Sequence, residues 1–548
     1  MFDYLIAHAS IIDGTGRAPY RGAVALRGDR IEAIIPAQRG AKIALPRAKK
    51  TIDADGRALA PGFIDIHSHN DWLLPDPDHI DMLQHLMRQG VTTVVTGQCG
   101  LSPAPIYTEK DDEIQSFVDL LCDRQISFDY STMNAFFESL ESKGIALNMA
   151  HLAGHATLRA SLKGLLTDAR LTIADMARLE YALDECFEAG VFGLSYGLGY
   201  PPGMFSPEEE LVWFAKIAGR KSGVLAVHLK ALSAVSPTYP YIPGGTPHNL
   251  MSLKETITHA KKAGVALQIS HLVFPYEPTW KTEERAIGMI EKEYEDGLDI
   301  AFDAYPYAGG NTSIIAPIPV WFLDNFQENI KNAFMMKKLV TLFRLSKKVL
   351  KFDMGAIMLL RAFHKPYEKY AGRLFRDIAA DLGMDPIDAY LHFAEITEGK
   401  ARVLLPEFYD NDGRDGIMAR VLAHPLCRFE TDTLITRKGV QNPATFGTFP
   451  RILGRFVREF RLMSLPDAIH RMTGASARRM GIQKRGEIKK GYYADLVIFD
   501  PDTVHENPVP DQPPLGIEHV FINGKPAVVN NKVDMKRLHG RVLRKNDQ

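Results

Sequence analysis

Cysteine is scarce in this sequence, and neither sign of charge dominates it. Four cysteines among 548 residues are too few for a disulfide scaffold and favour a reducing, cytoplasmic location. Lys and Arg total 65, Asp and Glu total 66, and the net charge is -1. No overall positive field therefore draws the chain to nucleic acid or to an anionic membrane.

Long apolar runs are also missing. No uninterrupted apolar stretch reaches the roughly 18 residues that a membrane-spanning helix needs. The segment Met1–Leu5 looks like a strand and lacks a basic region followed by an apolar one, so we expect no cleaved secretion signal. Hydrophobic residues make up 46% of the chain and charged residues 24%, as is usual in globular proteins.

The two ends of the chain share a β-rich pattern. Short strand-like segments separated by Gly and Asp turns occupy the first 60 residues, and Asn523-Gly524 near the other end is a hairpin signal. We predict one small β-sandwich domain built from residues 1–60 and 482–548. Its candidate strands are Tyr4–His8, Ala23–Arg27, Arg30–Ile35, Ala494–Phe499 and His519–Ile522.

The middle of the chain, residues 61–481, alternates strand-like and helical patterns. Such alternation indicates a parallel sheet, and eight units of this length predict a (β/α)8 TIM barrel. The predicted strands end near His67, Thr96, His151, Ser195, His228, His271, Asp303 and Asp432.

An insertion at about 320–420 is too long for a single crossover between strands. Its first part, Asn329–Pro366, mixes Met, Phe and Leu with Lys. We predict a helical, lid-like segment that packs over the barrel mouth with a solvated basic face. The alternative is a basic amphipathic lid that touches a partner or a membrane surface.

The segment Pro61–His69 carries the strongest local signal for chemistry. His67 and His69 lie two residues apart at the end of the first predicted strand, so their side chains share a face. Active sites of such barrels lie at the carboxyl ends of the strands, and two imidazoles at this spacing can bind one metal ion.

Other predicted strand ends add metal-ligand side chains. Cys99 follows the second strand, His228 ends the fifth, His271 ends the sixth and Asp432 ends the eighth. Because these ends converge in a barrel, the set is a metal-ligand inventory whose thiolate and imidazoles suit zinc. The remaining three cysteines do not fit this set. Cys122 and Cys186 lie in helical patterns and are predicted to be core residues, and Cys427 starts the eighth predicted strand, below the barrel mouth.

Many sequence blocks resemble the N-acyl-D-amino-acid deacylases (D-aminoacylases) of the amidohydrolase superfamily. The resemblance extends over nearly the whole chain, and the blocks occur in the order found in that family. They are Leu5–Gly16, Pro61–Asp71, Gly97–Pro103, Gly154–Arg159, Gly193–Gly203, Ser270-His271, Asp303–Tyr307, Gly447–Gly454, Met472–Gly474 and Gly491–Asp500.

The resemblance implies roles for the candidate ligands. The positions Cys99, His228 and His271 match family ligands of one tightly bound zinc ion. The remaining positions match a second, weaker or substrate-facing site formed by His67, His69 and Asp432. The bridging lysine of hydantoinases is absent at the fourth strand end, as it is in the deacylases.

The expected reaction is hydrolysis of a linear, non-peptide amide bond in a small N-acyl compound. Zinc lowers the pKa of bound water from 15.7 to roughly 7, so hydroxide can attack the carbonyl near neutral pH. Asp432 is the candidate general base and later the acid that protonates the leaving amine. The candidate substrate contacts are His155, Arg159, Tyr200, Lys230 and Tyr305.

Two departures from the family pattern concern the substrate. Deacylases of N-acyl-D-amino acids carry a lysine shortly after the sixth-strand histidine, where this chain has Leu272–Phe274. They also carry a His-Pro-Arg element that corresponds to Asn442–Ala444 here. Alanine cannot replace an arginine that binds a carboxylate in bidentate fashion, so the D-amino-acid substrate is a hypothesis, and Arg437 and Lys438 are further candidate contacts.

Two other functions remain open. A cyclic-amide hydrolase of the dihydroorotase or hydantoinase type uses the same barrel, although the missing lysine argues against it. A non-catalytic binding barrel is the other alternative, and the six retained candidate ligands argue against it. The sequence leaves open the acyl group, the number of metal ions and the oligomeric state.

Overall fold

A computed structural model describes residues 1–37, 45–106, 130–164, 169–509 and 511–547. Nine described strands from the two chain ends form one sheet, which confirms the predicted β-domain. The ends meet where Leu496–Phe499 pairs antiparallel with Ala58–Pro61. The other strands are Phe2–Ile11, Tyr20–Arg27, Arg30–Pro36, Ala48–Asp53, Ile517–Ile522, Lys525–Val529 and Lys532–Val533. The exact domain boundaries stay a prediction.

The predicted hairpin at Asn523-Gly524 is confirmed. Both residues have positive φ, 49° and 74°, between the strands Ile517–Ile522 and Lys525–Val529. This is the backbone twist that a two-residue hairpin needs, and Asn and Gly adopt it most readily.

Eight parallel strands of the described chain form the predicted barrel, in sequence order around the sheet. Beyond the strand ends, the Asp432 N–H donates to the His67 carbonyl at 3.1 Å and the His69 N–H donates to the Thr433 carbonyl at 3.0 Å. These bonds join the last strand to the first. The strands are Phe63–Asp65, Val91–Thr96, Asn148–Gly154, Gly193–Gly197, Val224–His228, Ala266–Ile269, Ile300–Ala304 and Cys427–Phe429.

Helices follow most barrel strands and bury their apolar faces against the sheet. The helix Ile173–Ala189 starts with a capping box, in which Thr172 and Asp175 satisfy each other's backbone N–H groups. The others around the barrel are Ile80–Arg88, Met133–Lys143, His155–Lys163, Glu208–Arg220, His248–Ala263, Glu277–Trp280, Glu283–Glu295, Ile417–Ala423, Ala444–Arg451 (continued as a π-helix to Glu459), Leu465–Met472 and Gly474–Met480.

The insertion lies within residues 305–416, between the seventh barrel strand and the helix Ile417–Ala423 that precedes the eighth. Helices are present there as predicted, with their own buried core. The sequence analysis missed a three-stranded antiparallel sheet in the described residues of the insertion, made of Gly310–Ser313, Arg402–Leu405 and Met358–Arg361. The helices are Val320–Leu323, Phe326–Asn329, Ala333–Leu350, Phe375–Leu382 and Pro386–Ile396.

The basic helix Ala333–Leu350 packs as predicted on its apolar face. Leu339 and Phe343 are buried in the core of the insertion, whereas Lys337, Lys338 and Lys348 are exposed. The lysine-rich face is therefore solvated. No helix among the described residues is both long and apolar enough to cross a membrane.

Cys186, which was predicted to be a core residue, is buried, and so is Cys427. Cys186 lies in the helix Ile173–Ala189, and Cys427 begins the eighth barrel strand. Burial raises the pKa of the Cys427 thiol to about 12, so it behaves as an ordinary core thiol. Cys122 lies outside the described residues.

Candidate metal centre

The structure brings all six predicted ligands together at the carboxyl ends of the barrel strands. Three lie around one sulfur atom: Cys99 Sγ is 3.3 Å from His67 Nε2, 3.6 Å from His271 Nε2 and 3.8 Å from His228 Nδ1. His228 Nδ1 is 2.8 Å from His271 Nε2. The thiol is thus surrounded by three imidazole nitrogens.

Asp432 completes a second group at the same nitrogen of His67 that Cys99 approaches. Its Oδ1 atom lies 3.6 Å from His67 Nε2 and 3.4 Å from His69 Nε2. Among the described residues, three groups of potential ligand atoms include His67, and the atoms of each group lie within 4.8 Å of one another. They are His67, Cys99 and His271; His67, His69 and Asp432; and His67, Asp303 and Glu430. Ligands at 2.0–2.3 Å from a tetrahedral zinc ion lie roughly 3.3–3.8 Å apart, so the distances from Cys99 Sγ and from Asp432 Oδ1 to the imidazole nitrogens fit a metal.

The electrostatics of the cluster favour the ligand form of Cys99. Burial opposes ionisation of this thiol, but the imidazoles of His67, His228 and His271 outweigh it and hold its pKa well below the usual value. Burial alone would lower the pKa of His69, but Asp432 and Cys99 outweigh this effect and raise the pKa to about 9. The anionic groups Cys99 and Asp432 therefore lie among imidazoles, and a positive charge nearby would stabilise both of them.

Three of the candidate ligands have an unusual backbone conformation. The φ angle is 55° at Cys99, 32° at His271 and 47° at Asp432. Positive φ is uncommon for residues other than glycine, and such strain concentrates at functional sites. Hydrogen bonds hold these conformations, because the Tyr200 hydroxyl donates to the Cys99 carbonyl at 2.7 Å and the His271 N–H donates to Asp303 at 2.6 Å.

Two buried carboxylates lie behind His67, and the sequence analysis assigned a role to neither. His67 Nδ1 is 3.4 Å from Asp303 and 3.6 Å from Glu430. Burial, with Asp303 close by, raises the pKa of Glu430 well above its usual value. A buried carboxylate beside an imidazole can fix the orientation of the ring. Carboxylates that contact the ligand histidines do this in many metal sites.

We predict that Asp303→Asn weakens metal binding by about 10- to 100-fold, the usual cost of losing such a partner. The carboxylate accepts from the His271 N–H and, at 2.6 Å, from Gln268 Nε2. An amide has only one oxygen for these two donors. Competition with a zinc chelator measures the effect. Asp299→Asn is the matched control, because Asp299 lies before the same strand and pairs with Arg479; equal affinities in the two variants would contradict this role.

The predicted substrate contacts Tyr200, Lys230 and Tyr305 lie near the cluster. The Tyr200 ring packs edge-on against His228, with centroids 4.9 Å apart. Lys230 Nζ lies 5.1 Å from the ring centre of Tyr239. Burial raises the pKa of the Tyr305 hydroxyl well above its usual value, and the negative charge of Asp432 adds to the shift. The structure thus leaves these three as candidates.

His155 and Arg159 are placed differently. His155 Nε2 lies 2.9 Å from one oxygen of Glu210, and Arg159 Nη1 donates to the other at 2.8 Å. Arg159 also donates to the carbonyl of Ala169. All three side chains of this ion-pair network are buried. Their placement favours a structural role over substrate contact. Arg437 is likewise engaged elsewhere, 3.2 Å from Asp76.

Two cavities lined by described residues open onto the metal-ligand cluster. One has a volume of about 450 Å³ and the other about 420 Å³. Tyr200, His228, His271 and Asp432 border both. Arg402 and Lys400, in the insertion, line the second cavity. No motif marks these two residues in the sequence, so they were not predicted.

Comparison with known proteins agrees with this geometry. The protein-family model described as "Amidohydrolase family" matches residues 50–185 and 430–528 of the sequence. An N-acyl-D-aspartate deacylase from Alcaligenes xylosoxydans xylosoxydans is 30% identical over 550 residues, which cover 100% of this chain and 95% of that protein. The chain belongs to the D-aminoacylase family of amidohydrolases. It is therefore an enzyme of the class that hydrolyses carbon–nitrogen bonds other than peptide bonds.

Solved structures of this family match the whole chain. N-acyl-D-glutamate deacylase from Bordetella bronchiseptica, in complex with zinc and a phosphonate mimic of the tetrahedral intermediate, has a TM-score of 0.79 and 28% identity over 99% of each chain. A D-aminoacylase described as having a binuclear metal centre matches at the same TM-score and identity, over 99% of this chain and 100% of that one.

Hydantoinases share only the fold with this chain. The L-hydantoinase of Arthrobacter aurescens has a TM-score of 0.51 and 15% identity. The fourth barrel strand, Gly193–Gly197, contains no lysine that could form their metal bridge. The cyclic-amide alternative is therefore disfavoured relative to linear amide hydrolysis.

Proposed function

We propose that the protein is a zinc-dependent deacylase that hydrolyses the amide bond of N-acyl-D-amino acids or closely related N-acyl compounds. The observation that carries the proposal is the buried cluster of one thiol, four imidazoles and one carboxylate beneath two cavities. The relatives named above act on N-acyl-D-aspartate and N-acyl-D-glutamate. The six donors are ligands of the kinds that such a reaction needs, because a soft thiol, neutral imidazoles and an anionic carboxylate lie close to one another.

The donor set fits zinc. Thiolate and imidazole ligands are those that zinc prefers, and Cys99, His228 and His271 would hold a first ion. His67, His69 and Asp432 would hold a second or face the substrate. Zinc bound there would polarise the amide carbonyl and make water a better nucleophile near neutral pH.

The surrounding side chains have separate tasks in this proposal. Asp432 borders both cavities and would accept a proton from water and pass it to the leaving amine. Asp303 fixes the backbone of His271, and Tyr200 fixes that of Cys99. The cluster is thus held in place before substrate enters, and little reorganisation is needed.

Arg402 is the proposed contact for the substrate carboxylate, in place of the missing family arginine and lysine. It lies on the strand Arg402–Leu405, is 3% exposed and lines the cavity that contains His69, Cys99 and Asp432. Its guanidinium lies 5.5 Å from the ring centre of Phe363. A guanidinium held in this way is suited to a carboxylate.

We predict that Arg402→Met raises the KM for N-acetyl-D-amino acids by about 10- to 100-fold, since a hydrogen bond to a charged group is worth ~1.5–3 kcal/mol. The corresponding α-carboxamides should be almost unaffected. Arg361→Met is the matched control, because Arg361 also lies over Phe363 but lines neither of the two cavities. Steady-state kinetics with both substrates decide, and equal losses on acid and carboxamide would assign Arg402 a structural role.

Release of amino acid from panels of N-acetyl-D- and N-acetyl-L-amino acids, separated by chiral chromatography, tests the function. We expect turnover of the D series by zinc-loaded enzyme. Ring opening of hydantoins or dihydropyrimidines with no turnover of either acyl series would replace this proposal with the cyclic-amide alternative.

A further inference from the structure

The larger cavity beside the metal-ligand cluster has a mostly apolar wall. Of the described residues that line it, Lys230 and Asp432 are the only lysine, arginine, aspartate or glutamate side chains. Aromatic and aliphatic side chains from the insertion form one side, among them Trp321, Phe343 and Phe352. A volume of about 450 Å³ is far more than an acetyl group fills.

The helix Ala333–Leu350 builds much of that wall. Leu342, Phe343, Ser346 and Leu350 line the cavity, at the spacing of one helical face. The opposite face carries the exposed lysines. The apolar face of the helix thus lines the cavity and also packs in the core of the insertion.

The second cavity differs in charge. Arg402, Lys400 and Glu398 line it, together with Gln327 and Asn311. The two cavities meet at the cluster, since both include His228, His271 and Asp432. An amide placed at the cluster would therefore extend one substituent into an apolar space and the other toward cationic side chains.

We infer that the enzyme deacylates N-acyl amino acids whose acyl chain is long and apolar. This inference rests on the proposed function and names its substrate class. The acyl chain occupies the apolar cavity, and the amino acid carboxylate faces Arg402. The assignment follows from charge, because a buried carboxylate needs a cationic partner. Arg402 and Lys400 line the second cavity, whereas Lys230 is the one lysine or arginine among the described residues that line the larger cavity.

A series of N-acyl-D-amino acids with acetyl, hexanoyl, octanoyl and dodecanoyl groups tests the inference on the wild-type enzyme. Burial of one methylene group in an apolar site is expected to raise kcat/KM roughly three- to fourfold until the cavity is full. A series in which the acetyl compound is the best substrate overturns the inference and leaves the proposed function intact.

The variant Ser346→Phe places a ring in the cavity. We expect kcat/KM for the dodecanoyl compound to fall at least tenfold and that for the acetyl compound to stay within about twofold. Leu345→Phe is the matched control on the same helix, because Leu345 is 55% exposed. Equal losses on both substrates, or a loss that follows the amino acid side chain instead of the acyl chain, would overturn the assignment.

Calorimetric binding of dodecanoate to the zinc-loaded protein separates the two hypotheses. Binding that Ser346→Phe abolishes and Leu345→Phe retains supports the acyl cavity, even if no N-acyl amino acid is hydrolysed and the proposed function fails. Acetyl turnover without dodecanoate binding has the opposite meaning: the deacylase function stands and the long-chain inference is wrong.

Discussion

Replacement of Cys99 by alanine is expected to empty the metal site and to abolish hydrolysis. Cys99 Sγ lies within 3.8 Å of three imidazole nitrogens, and those imidazoles favour its thiolate form. Alanine removes the central ligand of the cluster. Because a metal ion bound there would supply several kcal/mol of transition-state stabilisation, kcat/KM should fall by at least ~10³-fold. Inductively coupled plasma mass spectrometry and amide-hydrolysis kinetics on the same preparation measure both effects.

Cys186→Ala is the matched control for this experiment. Cys186 is also a buried free cysteine, but it lies in the helix Ile173–Ala189, away from the predicted ligands. Burial raises the pKa of its thiol, so it is not a thiolate ligand. Its variant should retain the zinc and activity of the wild type. Full metal content in the Cys99 variant would show that the metal is held elsewhere.

Asp432→Asn is expected to separate catalysis from metal binding. The amide keeps the size of the carboxylate but cannot act as a base, and general acid–base catalysis is typically worth about 10²–10⁴-fold. We expect kcat to fall by that factor while the zinc held by Cys99, His228 and His271 remains. Steady-state kinetics and the zinc content of the variant are the two measurements.

Asp381→Asn controls for the general effect of removing a carboxylate. Asp381 pairs with Arg373 on the surface of the insertion. This change should leave kcat and metal content unaltered. An unchanged kcat in the Asp432 variant would assign proton transfer to another group.

The barrel and its terminal β-domain could be predicted because local and global patterns agree. Most barrel strands are short, largely apolar runs followed by helices, and the hairpin residues Asn523 and Gly524 suit the turn that they form. The residue types at the ends of the predicted strands therefore predicted where the candidate metal ligands come together. That step needs only the rule that active sites lie at the carboxyl ends of the strands.

The insertion was harder to predict. Its strands Gly310–Ser313, Met358–Arg361 and Arg402–Leu405 have four residues each and pair with partners far away in the chain. Strands this short show no clear alternation, and long-range pairing leaves no local signal. Arg402 and the apolar cavity were missed for the same reason.

The supporting groups of the metal centre were also beyond sequence reasoning. Asp303 was noted only as a strand end, and Glu430 was not noted, although both lie against His67. A buried carboxylate looks like any other Asp or Glu in the sequence. The positive φ angles at Cys99, His271 and Asp432 depend on tertiary hydrogen bonds and likewise leave no pattern.

X-ray absorption spectroscopy at the zinc edge of the zinc-loaded wild-type protein tests the central claim most directly. A site built on Cys99 and the surrounding histidines predicts one sulfur at about 2.3 Å, with nitrogen and oxygen ligands at about 2.0–2.1 Å. A protein that takes up no zinc, or zinc with no sulfur neighbour, would contradict the metal centre on which the proposed deacylase function rests.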